Sequence, residues 1–277
     1  MPVSLPGRVS DARATGIPPA VWLPAGAALA FLGLPLVALV TRVPWADVPA
    51  IVSSPTLLTS LALSLLCATL ATAASLLLGV PLAWVLARSD AWASGIRRLI
   101  RSLVIVPLVL PPVVGGIALL LLLGRRGLIG ERLDAWFGIQ LPFTTAAVVI
   151  AETFVAMPFL VIAAESAFRA ADRRFDDAAA SLGASRWFAF RHVTLPLILP
   201  GVAAGTVLSF ARALGEFGAT ITFAGNFPGV TQTMPLAAYL ALQTDPGVAY
   251  VTSLVLLVVS IVVLFSLRDR WTAGVNA

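Results

Sequence analysis

The sequence predicts an all-α integral membrane protein, and three observations support this prediction. Hydrophobic residues make up 59% of the 277 residues, whereas charged residues make up only 11%. Soluble globular domains carry charge on about a quarter of their residues, so a chain this apolar is expected in a bilayer. The apolar residues also fall into six long runs, each able to cross a hydrocarbon layer about 30 Å thick as a helix. Six transmembrane helices are therefore predicted.

The predicted spans follow one another with short polar connections. A cytoplasmic tail over 1–20 comes first, and the apolar run behind it is longer than the roughly 7–15 residues of a signal-peptide core, which indicates an uncleaved helix. The second run is longer than one crossing requires and is expected to tilt or to extend into the cytoplasm. Residues 21–277 are thus predicted to form one transmembrane domain. Its spans cover approximately 21–40, 57–86, 99–123, 143–164, 197–222 and 248–267.

Prolines and glycines concentrate in the third predicted span. Such a cluster kinks or breaks a helix, and neighbouring helices must then satisfy the freed carbonyl groups. Both a packing kink and a hinge or pore-lining role fit this pattern. The cluster consists of Pro107, Pro111, Pro112, Gly115 and Gly116.

Arginine supplies all 18 basic residues, and its distribution predicts the orientation. With the N-terminus in the cytoplasm, thirteen arginines lie on the cytoplasmic side, four lie on the opposite side and Arg212 lies within a span. Because basic residues accumulate in cytoplasmic loops, both termini and the loop over 165–196 are predicted to be cytoplasmic in a plasma-membrane protein. No basic-aromatic surface typical of nucleic-acid binding accompanies the arginines. No nucleic-acid partner is therefore expected, and membrane lipid is the expected surrounding.

The loop over 165–196 contains a polar island, flanked by arginines and rich in small residues over 177–184. Small side chains leave a helix surface on which a partner can sit closely. Asp172, Asp176 and Asp177 are acidic residues that suit a helix N-terminus. Gly183 suits a left-handed stop, and Ser185 can cap a second short helix through Phe190. The pattern predicts a helix-turn-helix docking element that lies across the cytoplasmic face and leads into the fifth span.

The spacing within the island resembles the EAA loop of ABC-importer permeases. That pattern reads Glu-Ala-Ala, three residues, Gly, nine residues, Ile, any residue, Leu-Pro; here Asp177 replaces the Glu and Val193 replaces the Ile. The resemblance implies a type I ABC-importer permease-like fold whose loop inserts into a cleft of an ATP-binding subunit. An ordinary amphipathic loop helix is the alternative. The implied ATPase-coupling residues are Asp177, Ala178, Ala179, Gly183, Ala184, Leu195 and Pro196.

No enzymatic chemistry is expected from this chain. A phosphate-binding loop of the type GxxxxGK[ST] is absent, and the chain has no Lys to complete one. The single Cys67 and the single His192 lie far apart in the sequence, so neither a metal site nor a Cys/His or Ser/His/Asp arrangement is predicted. The chain is expected to carry no cofactor of its own. ATP and Mg²⁺ are expected on the partner ATPase, which would deliver energy through the loop.

Three charged residues fall well inside the predicted spans, away from their ends: Glu152 in the fourth, and Arg212 and Glu216 in the fifth. Charges are costly in lipid and usually face the bundle interior or water. The i, i+4 spacing of Arg212 and Glu216 places them on one helix face, where they can offset each other. They are predicted either as a buried structural ion pair or as part of a translocation pathway or gate. Glu152 is predicted to be a protonated or paired interior carboxyl group and is a further candidate for the pathway or gate.

Further segments are similar to molybdate and sulfate permeases. This resemblance implies a permease subunit that moves molybdate into the cytoplasm, with a second copy as its homodimer partner, two ATP-binding subunits and an extracytoplasmic molybdate-binding protein. A wet passage is needed because an isolated ion costs roughly tens of kcal/mol to transfer into apolar surroundings. SFARALGEFGAT at 209–220 is shared by both branches, whereas GNFPGVT at 225–231 with Gln243 and Thr244, LVLPPVVGG at 108–116 and GRRGLIGERLDAWFG at 124–138 look more like the molybdate branch.

Alternatives stay open within and outside this class. Sulfate, thiosulfate and tungstate are alternative substrates, because these oxyanions share size and charge with molybdate. A six-helix ion-coupled transporter or channel would instead use its membrane charges as an ion relay and would need no cytoplasmic docking element. A purely structural membrane subunit is the third reading.

Overall fold

The computed structural model of the chain describes residues 18–272, which are helical almost throughout and contain no strand. The predicted all-α class is thereby confirmed. Most of the predicted tail over 1–20 lies outside the described residues. The chain divides into two compact units, Met1–Arg42 and Val43–Ala277, and each is described by itself.

The first unit contributes a single long helix, and the described part of the second unit contains all the others. In chain order they are α1 (Pro19–Arg42), α2 (Val48–Val52), α3 (Pro55–Ala87), a 3₁₀ turn (Ser89–Ala91), α4 (Ser94–Val109), α5 (Pro112–Leu123), α6 (Gly130–Phe137), α7 (Thr145–Ala170), α8 (Arg173–Ser181), α9 (Arg186–Ala189), a π turn (Phe190–Thr194), α10 (Leu195–Leu214), α11 (Gly218–Phe223), α12 (Met234–Thr244) and α13 (Pro246–Thr272).

Over residues 18–272, five continuous stretches are long and apolar enough to cross a membrane, and a broken helix pair makes the sixth. The continuous stretches lie in α1, α3, α7, the run Arg186–Leu214 and α13. Helix α3 has 33 residues, so the second span is as overlong as the sequence predicts. The predicted number of spans is therefore confirmed when the broken pair counts as one span.

The predicted third span is a broken pair, in which the chain bends by 118° between α4 and α5. Leu110 and Pro111 between them have extended backbone with ψ of 132° and 131°. A residue that precedes proline is pushed out of the helical region by the proline ring, and both residues precede a proline here. The predicted break is thus present, and consecutive prolines are its physical cause.

The fifth span differs from the predicted range 197–222 at both ends. It begins at Arg186, because the π turn carries the helix into α10 without a break. It ends at Leu214, and α11 follows as a separate short helix from Gly218. Helices α2, α6 and α12 are each shorter than a membrane crossing, so the long apolar runs of the sequence do not predict them.

Helix α7 lies at the centre of the second unit and packs against α3 and α10. Ala71 on α3 and both Ala156 and Ala164 on α7 have no exposed surface. In lipid there is little hydrophobic drive between helices, so close van der Waals packing through small residues holds them together. The core of the unit is accordingly built from alanines as much as from larger aliphatic side chains.

Two glycines set the distance between α10 and α7. A Cβ atom on Gly201 would lie 2.5 Å from Cβ of Ala167, and one on Gly205 would lie 2.8 Å from Cβ of Ala163. The four-residue spacing puts both glycines on one face of α10, as in small-xxx-small helix contacts. This seam fixes the base of the fifth span, from which the predicted docking loop extends.

We expect Gly205→Val to destabilise the folded chain by about 1–3 kcal/mol, because overpacking forces the surrounding backbone to shift. Thermal unfolding of the purified protein in detergent measures this effect. Gly26→Val in α1 is the matched control, since no atom lies within 4 Å of a Cβ atom built there. Equal unfolding temperatures for the two variants would contradict the close contact.

Candidate coupling elbow and translocation site

The predicted docking element is an elbow over residues 172–189 that begins with α8. Asp172 lies at the N-cap of α8, where its carboxylate Oδ1 accepts a hydrogen bond of 2.9 Å from the backbone N–H of Arg174. The carboxylate satisfies one of the unpaired N–H groups of the first turn and also interacts favourably with the helix dipole. The local sequence thus defines where the elbow starts.

A left-handed glycine ends α8. Gly183 has φ of +82°, its N–H donates to the carbonyl of Ala180, and the N–H of Ala184 donates to the carbonyl of Ala179. This pair of bonds is the Schellman motif, which needs a residue that adopts positive φ cheaply. The predicted stop at Gly183 is therefore observed, and no atom lies within 4 Å of a Cβ atom built on this glycine.

The predicted coupling residues line an open surface at this turn. Asp177, Ala178 and Gly183 are exposed, whereas Ala179 and Ala184 are half-buried. Large apolar side chains surround them with much of their area exposed: Leu182 at 89%, Trp187 at 67% and Phe188 at 53%. A cluster of exposed apolar side chains beside small residues is typical of a protein-interaction surface.

The second half of the elbow is capped as predicted but continues further than predicted. The hydroxyl of Ser185 accepts a hydrogen bond of 3.2 Å from the N–H of Phe188 and starts α9. The predicted second short helix is therefore present as α9, but it does not end at Phe190, because the π turn joins it directly to α10. Leu195 is half-buried against the core and Pro196 is exposed, and both belong to the first turn of α10.

A cluster of charges lies beside the elbow and was not found by sequence reasoning. Glu165 on α7 accepts hydrogen bonds from Arg101 on α4 and, at 2.9 Å, from Nε of Arg169. Asp90 lies 3.5 Å from Arg97 and 3.6 Å from Arg169. The cluster ties α4 to α7. The i, i+4 spacing of Glu165 and Arg169 was a usable signal, whereas the 64-residue separation from Arg101 was not.

At the other end of α10, the predicted ion pair is present. Nη1 of Arg212 lies 2.6 Å from Oε2 of Glu216, and the Glu216 side chain is only 1% exposed, against 26% for Arg212. Glu216 lies outside α10, in the break before α11, rather than one turn further along the same helix. The salt bridge therefore spans the end of a helix, with the cation partly open to its surroundings and the anion enclosed.

Glu216 has a second partner that sequence reasoning missed. Its Oε1 accepts a hydrogen bond of 2.8 Å from the backbone N–H of Ala219, in the first turn of α11. Helix α11 in turn packs tightly on α5, because a Cβ atom on Gly116 would lie 2.7 Å from the carbonyl oxygen of Ala219. One carboxylate thus anchors Arg212, the start of α11 and, through α11, the second half of the broken span.

Glu152 is enclosed in the bundle on α7, with 1% of its surface exposed. Its Oε2 has no hydrogen-bond partner among the described residues. Helix α7 packs against both α10 and α11, so Glu152 lies on the helix that contacts the two elements joined by the Arg212–Glu216 pair. These three residues lie far from the elbow, since Arg212 follows Leu195 by about 25 Å along the helix at 1.5 Å per residue.

Comparison with known proteins places this arrangement in a family. The chain is 50% identical over 262 residues to the molybdenum transport system permease protein ModB of Mycobacterium tuberculosis, covering 95% of this chain and 98% of the relative. It is 44% identical over 214 residues to the Escherichia coli K12 protein of the same name, covering 77% and 92% of the two chains. The sulfate transport system permease protein CysT of Escherichia coli K12 is more distant, at 34% over 258 residues, with 90% and 92% covered.

A solved structure shares the fold. The crystal structure of a bacterial alginate ABC transporter, in complex with an alginate-bound periplasmic protein, superposes with a TM-score of 0.68 at 18% identity, covering 90% of this chain and 92% of that chain. The predicted type I ABC-importer permease-like fold is therefore confirmed.

Residues 77–273 match the family model described as the binding-protein-dependent transport system inner membrane component. This range contains α7 at the core, the elbow and the intramembrane charges. The chain therefore belongs to the family of inner-membrane components of binding-protein-dependent transport systems, as a multi-pass membrane protein.

Proposed function

We propose that this chain is the permease subunit of an ATP-driven importer that moves molybdate into the cytoplasm. The observation that carries the proposal is the exposed elbow with its small-residue turn at Gly183, which offers a docking surface for a separate motor subunit. The substrate assignment is supported by the 50% identity to molybdenum permeases over nearly the whole chain, against 34% to a sulfate permease.

Energy enters through a partner, because this chain lacks the lysine that a phosphate-binding loop requires. ATP and Mg²⁺ are bound by that ATPase subunit and not by the permease. The exposed side chains of Leu182, Trp187 and Phe188 are the apolar area that the ATPase covers, and the small residues beside them allow close approach. ATP-driven movement of the partner then displaces the elbow.

The elbow and both termini face the cytoplasm in this proposal. Thirteen arginines against four on alternate sides of the spans support this orientation. The opposite side then receives molybdate from an extracytoplasmic binding protein. Two copies of the chain line one passage on a common axis, with an ATP-binding subunit under each copy.

Arg212 supplies positive charge to the passage near its outer end. The guanidinium is held in place by Glu216, and the Arg212 side chain is 26% exposed; a guanidinium carries five N–H donors, more than one carboxylate partner uses. A dianion that leaves water is stabilised by a fixed cation in an environment of low dielectric constant. Glu216 partly offsets this charge, which favours passage over tight retention of the anion.

The direct test is uptake of labelled molybdate by right-side-out vesicles that carry the complete complex. We expect uptake to require both internal ATP and the external binding protein, with tungstate competing and excess sulfate competing weakly. Uptake that continues in vesicles without ATP would contradict the proposal. Equal competition by sulfate would move the substrate assignment to the sulfate branch.

We expect Gly183→Trp to abolish molybdate uptake and the stimulation of ATP hydrolysis, because the indole blocks the docking surface. Backbone strain at positive φ contributes about 1–2 kcal/mol for any side chain with a Cβ atom, so Gly183→Ala separates strain from blockage and should retain most of the uptake. The matched control is Gly138→Trp, since Gly138 has φ of +65° and equally open surroundings. Normal coupled turnover in Gly183→Trp would count against the elbow's role.

A two-residue cycle separates the two readings of the intramembrane pair. Arg212→Ala leaves Glu216 charged and buried, so we expect a loss of about 3 kcal/mol in stability together with loss of uptake. Arg212→Ala/Glu216→Gln removes the orphaned charge and keeps an acceptor for Ala219, so stability should recover while uptake stays low. Thermal unfolding and uptake are measured in parallel, with Arg126→Ala as an exposed arginine control. Restored uptake in the double variant would show that the pair is a structural salt bridge without a role in the passage.

A further inference from the structure

Four aromatic rings form a column that runs from the elbow into the membrane bundle. The ring of Phe190 lies between Trp187 of α9, at a centroid distance of 5.6 Å, and Trp84 of α3, at 4.5 Å. Trp84 in turn lies 6.3 Å from Phe168 of α7. All three pairs are close to parallel, with interplanar angles of 26°, 25° and 18°. The aromatic column thus joins three separate elements in one stack.

The column passes from an exposed end to a buried end. Trp187 is 67% exposed at the elbow surface, Phe190 and Trp84 are half-buried, and Phe168 is buried in the core. The inner rings pack into a cluster that also contains Ala87 of α3 and other small and aliphatic residues of α7 and α10. A displacement of the exposed end is therefore transmitted to close-packed side chains, which have little room to absorb it.

Trp84 is an uncommon choice for this position. Its indole Nε1 is buried and has no hydrogen-bond partner among the described residues, and buried indole N–H groups usually find one. If the only role of residue 84 were packing, an apolar ring without an N–H group would fill the position at lower cost. The large indole instead spans the gap between Phe190 and Phe168, and the Arg88 guanidinium lies 5.9 Å from its centroid. The geometry favours a role for the extended ring itself.

The π turn adds a second observation at the same place. Phe190 is the first residue of this turn, which joins α9 to α10 without a break. Single π turns inside longer helices occur frequently at functional sites. The backbone of the π turn continues from the elbow into α10, whereas the side chain of Phe190 stacks on Trp84 of α3, which in turn stacks on Phe168 of α7.

We propose that the aromatic column couples the elbow to α3 and α7, with Trp84 and Phe190 as positioning residues that set how much oxyanion is imported for each ATP hydrolysed. The inference rests on the proposed function, because it assigns the mechanical path between the ATPase and the passage. A stack that only stabilises the fold would change the amount of folded protein and would leave this ratio unaltered.

The test measures molybdate uptake and ATP hydrolysis together in proteoliposomes that contain the full complex and its binding protein. We expect Trp84→Ala and Phe190→Ala to assemble with the ATPase and to retain its basal hydrolysis, while uptake per ATP falls about tenfold, which is within the usual range of coupling between sites. Trp84→Phe keeps an aromatic ring but loses the extended indole and should restore the ratio only in part, whereas Phe190→Leu keeps only apolar volume and should not restore it. Trp136→Ala, at an exposed aromatic outside the column, is the control and should match the wild type.

The double variant Trp84→Ala/Phe190→Ala supplies an independent readout. Residues that act as one unit give non-additive effects, so the double variant should be no worse than either single variant. If Trp84→Ala fails to assemble, uptake per ATP is compared between Trp84→Phe and Trp84→Leu instead. A higher value in Trp84→Phe supports the role of the ring, and equal values contradict it. If the variants that lack a ring show the wild-type ratio of uptake to ATP hydrolysis, the coupling role of the aromatic column is wrong. If the wild-type complex shows no ATP-dependent uptake, the proposed function is wrong instead.

Discussion

The hydrocarbon interior of a bilayer offers no hydrogen-bond partners, and the architecture of this chain depends on that constraint. Every backbone N–H and C=O group at membrane depth must be paired within the protein, which leaves helices as the spanning elements of an all-α chain. Breaks are tolerated only where protein or water replaces the lost partners. The two breaks, between α4 and α5 and between α10 and α11, are therefore informative, because the second is closed by a buried carboxylate that caps α11.

Close packing through small residues converts these helices into a mechanical unit. The glycines on α10 hold it against α7, and the π turn makes Arg186–Leu214 one continuous rod. The elbow lies at one end of this rod and Arg212 lies near the other, about 35 Å beyond Ala189 at 1.5 Å per residue. A displacement of the elbow would therefore reach Arg212 through this one continuous helix, while side-chain contacts would spread it to the neighbouring helices.

Local features of the chain were predictable, because they depend on residues near one another in sequence. The Asp172 and Ser185 caps, the left-handed Gly183 and the proline break of the third span all occur where the sequence indicates them. The end of the fifth span was misplaced, since apolar composition continues past Leu214 although the helix does not. Composition measures preference for lipid, and it does not detect a helix break that a distant element stabilises.

The sequence by itself determined the class of protein, the number of spans and the position of the elbow, because hydropathy, capping and glycine conformation act over a few residues. Only the tertiary structure decided that Glu216 binds both Arg212 and the first turn of α11, that Glu165 joins α4 to α7, and that Trp84 stacks on Phe190. These contacts join elements far apart in the chain. Their geometry follows from how helices pack, which is a property of the whole bundle and leaves no periodic signal in any one segment.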